Sequence, residues 1–295
     1  MKKVSVVIPA YNHDLYIEQA IESVLSSSYP NIELIVIDDG SNDQTRDKVM
    51  EFEKVKYYYQ ENSGAFSAIN DGISRATGDY LAILNDDDRY MKDHIDSAIK
   101  NMENFGNDLF IGRPNLIGFG AKLNNLQEHI VQSDLQIGRL GYADSLFQIN
   151  WSLSTSAFVF SRDLSNKLGG FQNFAMCHDL DFLIRALAIE NCGVGTSRVP
   201  SWEYRCHETN SGSSISLVKQ HAEIIYSLGR SLDFLEFEIS QASLKAKIGH
   251  GLNDKILAMA AVIKPWRSES RMSVSDCVDK WVINCIGEFE AIAHD

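Results

Sequence analysis

Two short apolar runs in this chain end in acids, and that pairing constrains the fold more than any other feature. Residues 32–37 run into Asp38 and Asp39, followed by Gly40 and Ser41; residues 80–84 run into Asn85, Asp86, Asp87 and Asp88. An apolar run of four to eight residues without alternation reads as a strand buried on both faces. Adjacent carboxylates repel, so a row of them where a sheet ends becomes favourable when a divalent cation sits there, because hard cations take oxygen ligands. Ligands of open α/β sheets bind beyond the carboxyl ends of the strands. The two acidic strand ends therefore predict a metal-dependent site at that edge.

The rest of the N-terminal half alternates in the same way. Residues 4–8 read as a further buried strand, ended by Pro9. Ile17, Ala20, Ile21, Val24 and Leu25 recur at helical spacing, with Asn12 or Asp14 placed to cap the helix. Ser41 and Gln44 form a capping-box pattern. Residues 55–59 read as a strand and residues 65–76 as a helix stopped by Gly78. A helix follows near 92–104, then strands at 109–111 and 156–160, with a long, polar, irregular stretch at 112–154 between them. Residues 179–189 look helical. This order predicts an α/β fold with a doubly wound, mostly parallel sheet over residues 1–215. From about residue 216 the pattern is all helix. Ile224, Leu228, Leu232, Leu235 and Ile239 share one face, and Val278, Val282, Cys285, Ile286 and Phe289 another, so residues 216–295 read as a helical C-terminal extension.

Composition excludes several classes. The formal net charge of −13 argues against nucleic-acid binding, which needs a basic surface. An acidic protein that binds a phosphorylated ligand needs a metal or a local basic patch. The five cysteines are odd in number, scattered and without a CxxC pair, as expected for reduced thiols in a cytoplasmic protein. The N-terminus runs directly into a strand rather than a signal-peptide core, and no run approaches the roughly 20 apolar residues of a membrane span. No GxGxxG fingerprint is present, which argues against a Rossmann dehydrogenase.

Several blocks, in order, resemble the family 2 glycosyltransferases of GT-A fold: Val6-Val7-Ile8-Pro9-Ala10-Tyr11-Asn12, Ile37-Asp38-Asp39-Gly40-Ser41, Gly78-Asp79-Tyr80 leading to Asn85-Asp86-Asp87-Asp88, and His178-Asp179-Leu180-Asp181. The resemblance covers about residues 1–215, with the nucleotide-sugar half at about 1–105 and the acceptor half at about 106–215. It implies that Asp39 accepts a hydrogen bond from the imide N–H of uracil, flanked by Pro9, Ala10 and Tyr11, whereas Asp38 fits a turn acid ahead of Ser41. A carboxylate only accepts, so it suits uracil and suits cytosine poorly. The resemblance also implies that Asp87 binds the metal, Mn²⁺ or Mg²⁺, and that Asp86 contacts ribose or phosphate. Asn85 stands where an Asp is commoner, which leaves open which acid bonds the metal directly. Asp179 matches the catalytic base, with Asp181 as the alternative and His178 replacing the usual Glu beside it. In Tyr204-Arg205-Cys206-His207, His207 corresponds to a metal ligand and Arg205 to a source of positive charge toward phosphate. Residues 210–214 read as a lid, and Gly169-Gly170-Phe171 resembles the turn ahead of the acceptor site.

The implied activity is inverting transfer of one sugar from a UDP-sugar to a glycan or lipid-linked acceptor, of the kind that builds O-antigen or capsule. The absence of a Gln-x-x-Arg-Trp signature argues against a processive synthase. The helical extension would complete the acceptor site, form a homodimer, or sit at the inner membrane face, where Lys264-Pro265-Trp266-Arg267 is a basic-aromatic cluster suited to lipid head groups. The alternative is a binding protein or partner subunit that keeps the fold without catalysis. A nucleotidyltransferase on a related sheet would need a Gly-rich basic signature, which residues 10–14 lack.

Overall fold

The computed structural model describes residues 1–118, 121–140, 152–187, 189–207 and residue 210. The expected helices beyond residue 215, the cluster at 264–267 and the lid residues 211–214 lie outside the described residues. The chain opens with β1 (Val4–Ala10), α1 (Ile17–Leu25), β2 (Ile32–Asp38), α2 (Thr45–Met50), β3 (Val55–Tyr59), α3 (Ala65–Arg75) and β4 (Tyr80–Ile83). It continues with β5 (Arg89–Tyr90), α4 (His94–Phe105), β6 (Leu109–Gly118), α5 (Ala121–Leu140), a 3-10 turn (Thr155–Ala157), β7 (Phe158–Ser161), α6 (Arg162–Leu168), α7 (His178–Leu187) and β8 (Val194–Cys206).

These strands form one eight-stranded sheet in the order β3-β2-β1-β4-β7-β6-β8-β5. The first four are mutually parallel; every residue of β1 is buried, as its unalternating apolar run predicts. β7 runs antiparallel to both β4 and β6, and β8 runs parallel to β6. The carboxyl ends of β2, β1, β4, β6 and β8 consequently share one edge, and the loop entering β7 arrives there too.

Local chemistry explains where the elements depart from expectation. β1 does not stop at Pro9 but runs through it to Ala10. Val7 faces β4, accepting from the Leu84 N–H, and Ala10 faces β2, accepting from the Asp39 N–H. Pro9 therefore turns its missing donor toward β4, whose pairing has already ended at Val7–Ile83. Neither Asn12 nor Asp14 caps α1, which begins after Tyr16 without a side-chain cap, and Leu25 is exposed. Ser41 does not cap α2 either: its hydroxyl accepts from the Asn12 N–H, while Asp43 Oδ1 accepts from the Thr45 N–H. Gly78 is not the stop of α3, which ends as Ala76 turns extended. The stretch at 112–154 is more regular than expected: β6 continues to Gly118, and α5 packs back on it through a bidentate Arg113–Asp134 pair at 2.6 Å.

α3 lies close on the sheet. A Cβ at Gly72 would sit 2.3 Å from Val7 Cγ1, so only glycine lets this helix approach β1 so nearly. No helix of the described residues is long and apolar enough to cross a membrane.

Candidate active site

Asp39 follows β2, Tyr11 follows β1, and Asn85, Asp86 and Asp87 follow β4. Adjacent strands lie about 4.8 Å apart, so the two acidic strand ends flank the β1 end at roughly 10 Å from each other. They line a cleft of about 690 Å³, joined by Leu153, Ser154 and Thr155 ahead of β7, by His178 and Asp179 at the start of α7, and by Tyr204 and Asn210 at the end of β8. That volume suits a ligand of nucleotide-sugar size. Four carboxylates line the cleft, Asp39, Asp86, Asp87 and Asp179, while no lysine or arginine does among the described residues.

Asp39 is 3% exposed and works as an anchor. Its Oδ1 accepts from Gln60 Nε2 at 2.6 Å and the Ser63 N–H at 2.8 Å, and its Oδ2 accepts from the Gly64 N–H at 2.9 Å. A carboxylate offers about four acceptor sites, so one on Oδ2 remains toward the cleft. Asp38 has the turn role expected of it, accepting from the Ser41 N–H and from Tyr57 Oη.

The acids after β4 separate into distinct jobs. Asp86 Oδ2 accepts from the Tyr11 N–H at 2.9 Å, and its Oδ1 meets His13 Nδ1 at 2.7 Å. Burial pushes the Asp86 carboxyl up, and the His13 contact works against that. Burial also disfavours charge on His13, but the hydrogen bond to Asp86 and the charges of Asp86, Asp87 and Asp43 outweigh it and lift the imidazole to about 9. Asp87 Oδ2 meets His207 Nε2 at 2.9 Å and accepts from Asn210 Nδ2 at 3.1 Å. Asp88 points away from the cleft: Oδ2 accepts from Ser156 Oγ at 2.6 Å and Oδ1 from the Arg205 N–H at 3.0 Å. Its burial, with Asp87 beside it, holds the Asp88 carboxyl well above the usual range. Asn85 donates from Nδ2 to Ser154 Oγ and accepts at Oδ1 from Thr155 Oγ1, both at 3.0 Å, so its amide ties the acidic loop to the turn before β7.

One atom each from His13, Asp87 and His207 lie within 4.8 Å of one another. Two imidazoles and a carboxylate on one point fit a divalent cation of the Mn²⁺ or Zn²⁺ class. Sequence reasoning had marked Asp87 and His207 but missed His13; the available signal was a histidine three residues beyond β1, at the edge that receives the acids.

Arg205 departs from the role expected of it. Its guanidinium donates to the Asp87 carbonyl at 2.8 Å and to Gln19 Oε1 at 2.9 Å, and it stacks over the Tyr16 ring at 4.8 Å. It braces the acidic loop from behind and does not line the cleft. Asp181 is likewise removed from the cleft, buried at 1% and ion-paired to Arg185 at 2.7 Å. Asp179 faces the cleft from the first turn of α7, its Oδ1 accepting from the Leu180 N–H at 2.7 Å.

Comparison with known proteins agrees with this layout. The model of the family described as glycosyl transferase family 2 matches residues 5–169. An uncharacterized glycosyltransferase of Rickettsia typhi, RT0329, is 31% identical over 194 residues, covering 64% of this chain and 59% of that protein. The putative teichuronic acid biosynthesis glycosyltransferase TuaG of Bacillus subtilis is 42% identical over 104 residues, covering 34% of this chain and 41% of its own. This chain thus spans about three-fifths or less of the length of these curated relatives. Among solved structures, S. aureus TarS in complex with UDP-GlcNAc superposes with a TM-score of 0.64 at 20% identity, over 88% of this chain and 71% of that one. The mannosyltransferase PcManGT of Pyrobaculum calidifontis, in complex with GDP-Man and Mn²⁺, gives 0.56 at 15% identity over 100% and 81%. Likeness at that identity carries the fold alone, which is of the GT-A type. The family match, in contrast, takes in over half the chain and the strand ends bearing Asp39, Asp86 and Asp87, and by that match the chain belongs to glycosyl transferase family 2.

Proposed function

We propose that this protein is an inverting, metal-dependent glycosyltransferase. It moves one sugar from a UDP-sugar to a hydroxyl of a glycan or lipid-linked oligosaccharide in cell-surface polysaccharide assembly, of the O-antigen, capsule or teichuronic acid type. The observation that carries the reading is the composition of the cleft among the described residues: four carboxylates without a lysine or arginine, and His13, Asp87 and His207 converging among them. Such a lining repels a diphosphate unless a cation sits between them. His13, Asp87 and His207 would hold a divalent cation such as Mn²⁺, which when bound offsets the charge of the departing nucleoside diphosphate.

The remaining roles belong to the chain's own residues. The open acceptor position on Asp39 Oδ2 takes the uracil imide N–H, with Tyr11 beside the base; Gln60, Ser63 and Gly64 keep that carboxylate in place. Asp86, held by the Tyr11 N–H and His13, faces the ribose and phosphates. Asp179 takes the proton of the acceptor hydroxyl as that oxygen bonds to the anomeric carbon. The bond from that carbon to the diphosphate breaks on the opposite face, so the configuration inverts. The ion pair of Asp181 with Arg185 supports reading Asp179, rather than Asp181, as the base. The printed ligands of TarS and PcManGT, UDP-GlcNAc and GDP-Man with Mn²⁺, are compatible with a nucleotide-sugar site here; the choice of uridine rests on Asp39.

The test is release of UDP from a panel of UDP-sugars with Mn²⁺, for the wild type and Asp179→Asn. Turnover lost in the variant while UDP still binds is the expected result. Equal turnover in both contradicts the assignment of Asp179 as the base, and no turnover with any donor while the nucleotide binds favours a binding subunit.

A further inference from the structure

Asp179 sits on the first turn of a short helix that follows an irregular segment. Three residues that do not line the cleft hold that turn in place. Asn70, in the middle of α3, pairs with the backbone of Phe171 as a neighbouring strand would: Nδ2 donates to the Phe171 carbonyl and Oδ1 accepts from its N–H, both at 2.8 Å. Arg185, one turn beyond Asp181, donates Nε to Asp181 Oδ2 at 2.7 Å and its two terminal nitrogens to the carbonyls of Leu168 and Gly170, each at 2.9 Å. Asp181 in turn donates its N–H to the Cys177 carbonyl.

Gly170 stands at φ +82, and a Cβ there would meet Asn70 Oδ1 at 2.5 Å. The turn is thus built around the amide. Phe171 stacks on Phe182 of α7 with centroids 4.4 Å apart and planes 11° from parallel, and its edge meets His178 at 6.2 Å. α3 itself starts at Gly64 and Ala65, which line the cleft, and Gly64 is bonded to Asp39. One helix therefore touches the Asp39 anchor at its first turn and holds the α6–α7 turn at its middle.

We propose that Asn70, Asp181 and Arg185 are positioning residues for Asp179, fixing the first turn of α7 against α3 so that the base meets the acceptor hydroxyl. This rests on the reading of Asp179 as the base. Buried ion pairs contribute little net stability relative to an apolar replacement, so their value here is geometric. A displacement of about 1 Å at a reacting group costs on the order of 100-fold in rate.

The experiment uses the full chain and four variants: Asn70→Ala, Asn70→Asp, Arg185→Lys and Asp179→Asn. UDP release from UDP-glucose and UDP-N-acetylglucosamine, UDP affinity with Mn²⁺, and amide hydrogen exchange across residues 178–187 are measured. In Asn70→Ala and Arg185→Lys, turnover should fall about 10–100-fold, with UDP affinity within about twofold of wild type and faster exchange confined to the start of α7. Lysine cannot span a carboxylate and two carbonyls at once, so it should not rescue. Asn70→Asp keeps the acceptor for the Phe171 N–H and loses the donor, so its exchange should lie between wild type and alanine.

Wild-type exchange at 178–187 in both Asn70→Ala and Arg185→Lys overturns the proposal. So does a loss of UDP affinity that tracks the loss of turnover, which would mean general unfolding. If Asp179→Asn keeps full turnover, the base assignment itself falls and the proposal with it. If Asp179→Asn is inactive while the clamp variants turn over normally, only the clamp is wrong.

Discussion

At the scale of single residues, each carboxylate of the cleft is defined by what already occupies its oxygens. Asp39 holds three donors from the 60–64 loop. Asp39→Asn would turn one of these contacts into donor against donor, at a cost of roughly 1–3 kcal/mol. Urea unfolding should show that loss, and UDP affinity should fall about tenfold or more with it. His13 gives the sharpest test of the metal assignment. His13→Ala should weaken Mn²⁺ binding by at least about tenfold, the lower end of what even outer-shell losses cost. Titration calorimetry in the presence of UDP measures it, and unchanged affinity would remove His13 from the ligand set. The separate fate of Asp88 was not legible in the sequence, where it looks like the two acids before it. It emerges only when Ser156 and the Arg205 N–H take Asp88 out of the cleft. Arg205 was misplaced for the same reason: a guanidinium in sequence is a charge without a direction.

At the scale of elements, legibility follows burial. β3 at Val55–Tyr59 and the start of α3 at Ala65 fall where the pattern puts them, and β1, β2 and β4, buried along nearly their whole length, read largely as apolar runs. β8 was missed. Its first eight residues include Ser197, Arg198, Pro200 and Ser201 and carry no sustained alternation, and only Trp202 to Cys206 alternate; β6 and β5 pair with the strand on either side. The extension of β6 was hidden by Gly112 and Pro114, which the sheet absorbs with register shifts around Arg113. The close approach of α3 to β1 belongs to this scale as well. Gly72→Ala places a methyl group against Val7, and a loss of about 1–3 kcal/mol in urea unfolding is expected. A neutral substitution would mean that α3 is free to shift outward, and α3 could then not carry the clamp on residues 168–171.

At the scale of the whole molecule, the two edges of the sheet have opposite electrostatic designs. The amino edge neutralises a buried acid: Glu33, 6% exposed, is met by Lys56 at 2.6 Å and Lys3 at 3.3 Å and accepts from Ser5 and Thr77. Burial raises that carboxyl, but the bonds from Lys56, Ser5 and Thr77 outweigh it and bring it down to about 2 from 4.5. The folded pKa lies below the unfolded one, so the contribution of Glu33 is fully present above about pH 4.5 and is lost as the pH falls toward 2. Thermal midpoints of Glu33→Gln should accordingly depend less on pH in that window than those of wild type. The carboxyl edge does the reverse and gathers acids around His13 and His207, an arrangement that gains most from a bound cation. The measurement that reaches the central claim most directly is the thermal stability of the full chain with UDP, GDP, CMP or TDP, each with Mn²⁺ and with EDTA. Stabilisation by UDP that disappears in EDTA is the predicted result. Stabilisation by GDP or CMP alone, or no response to any nucleotide with the metal present, would contradict it.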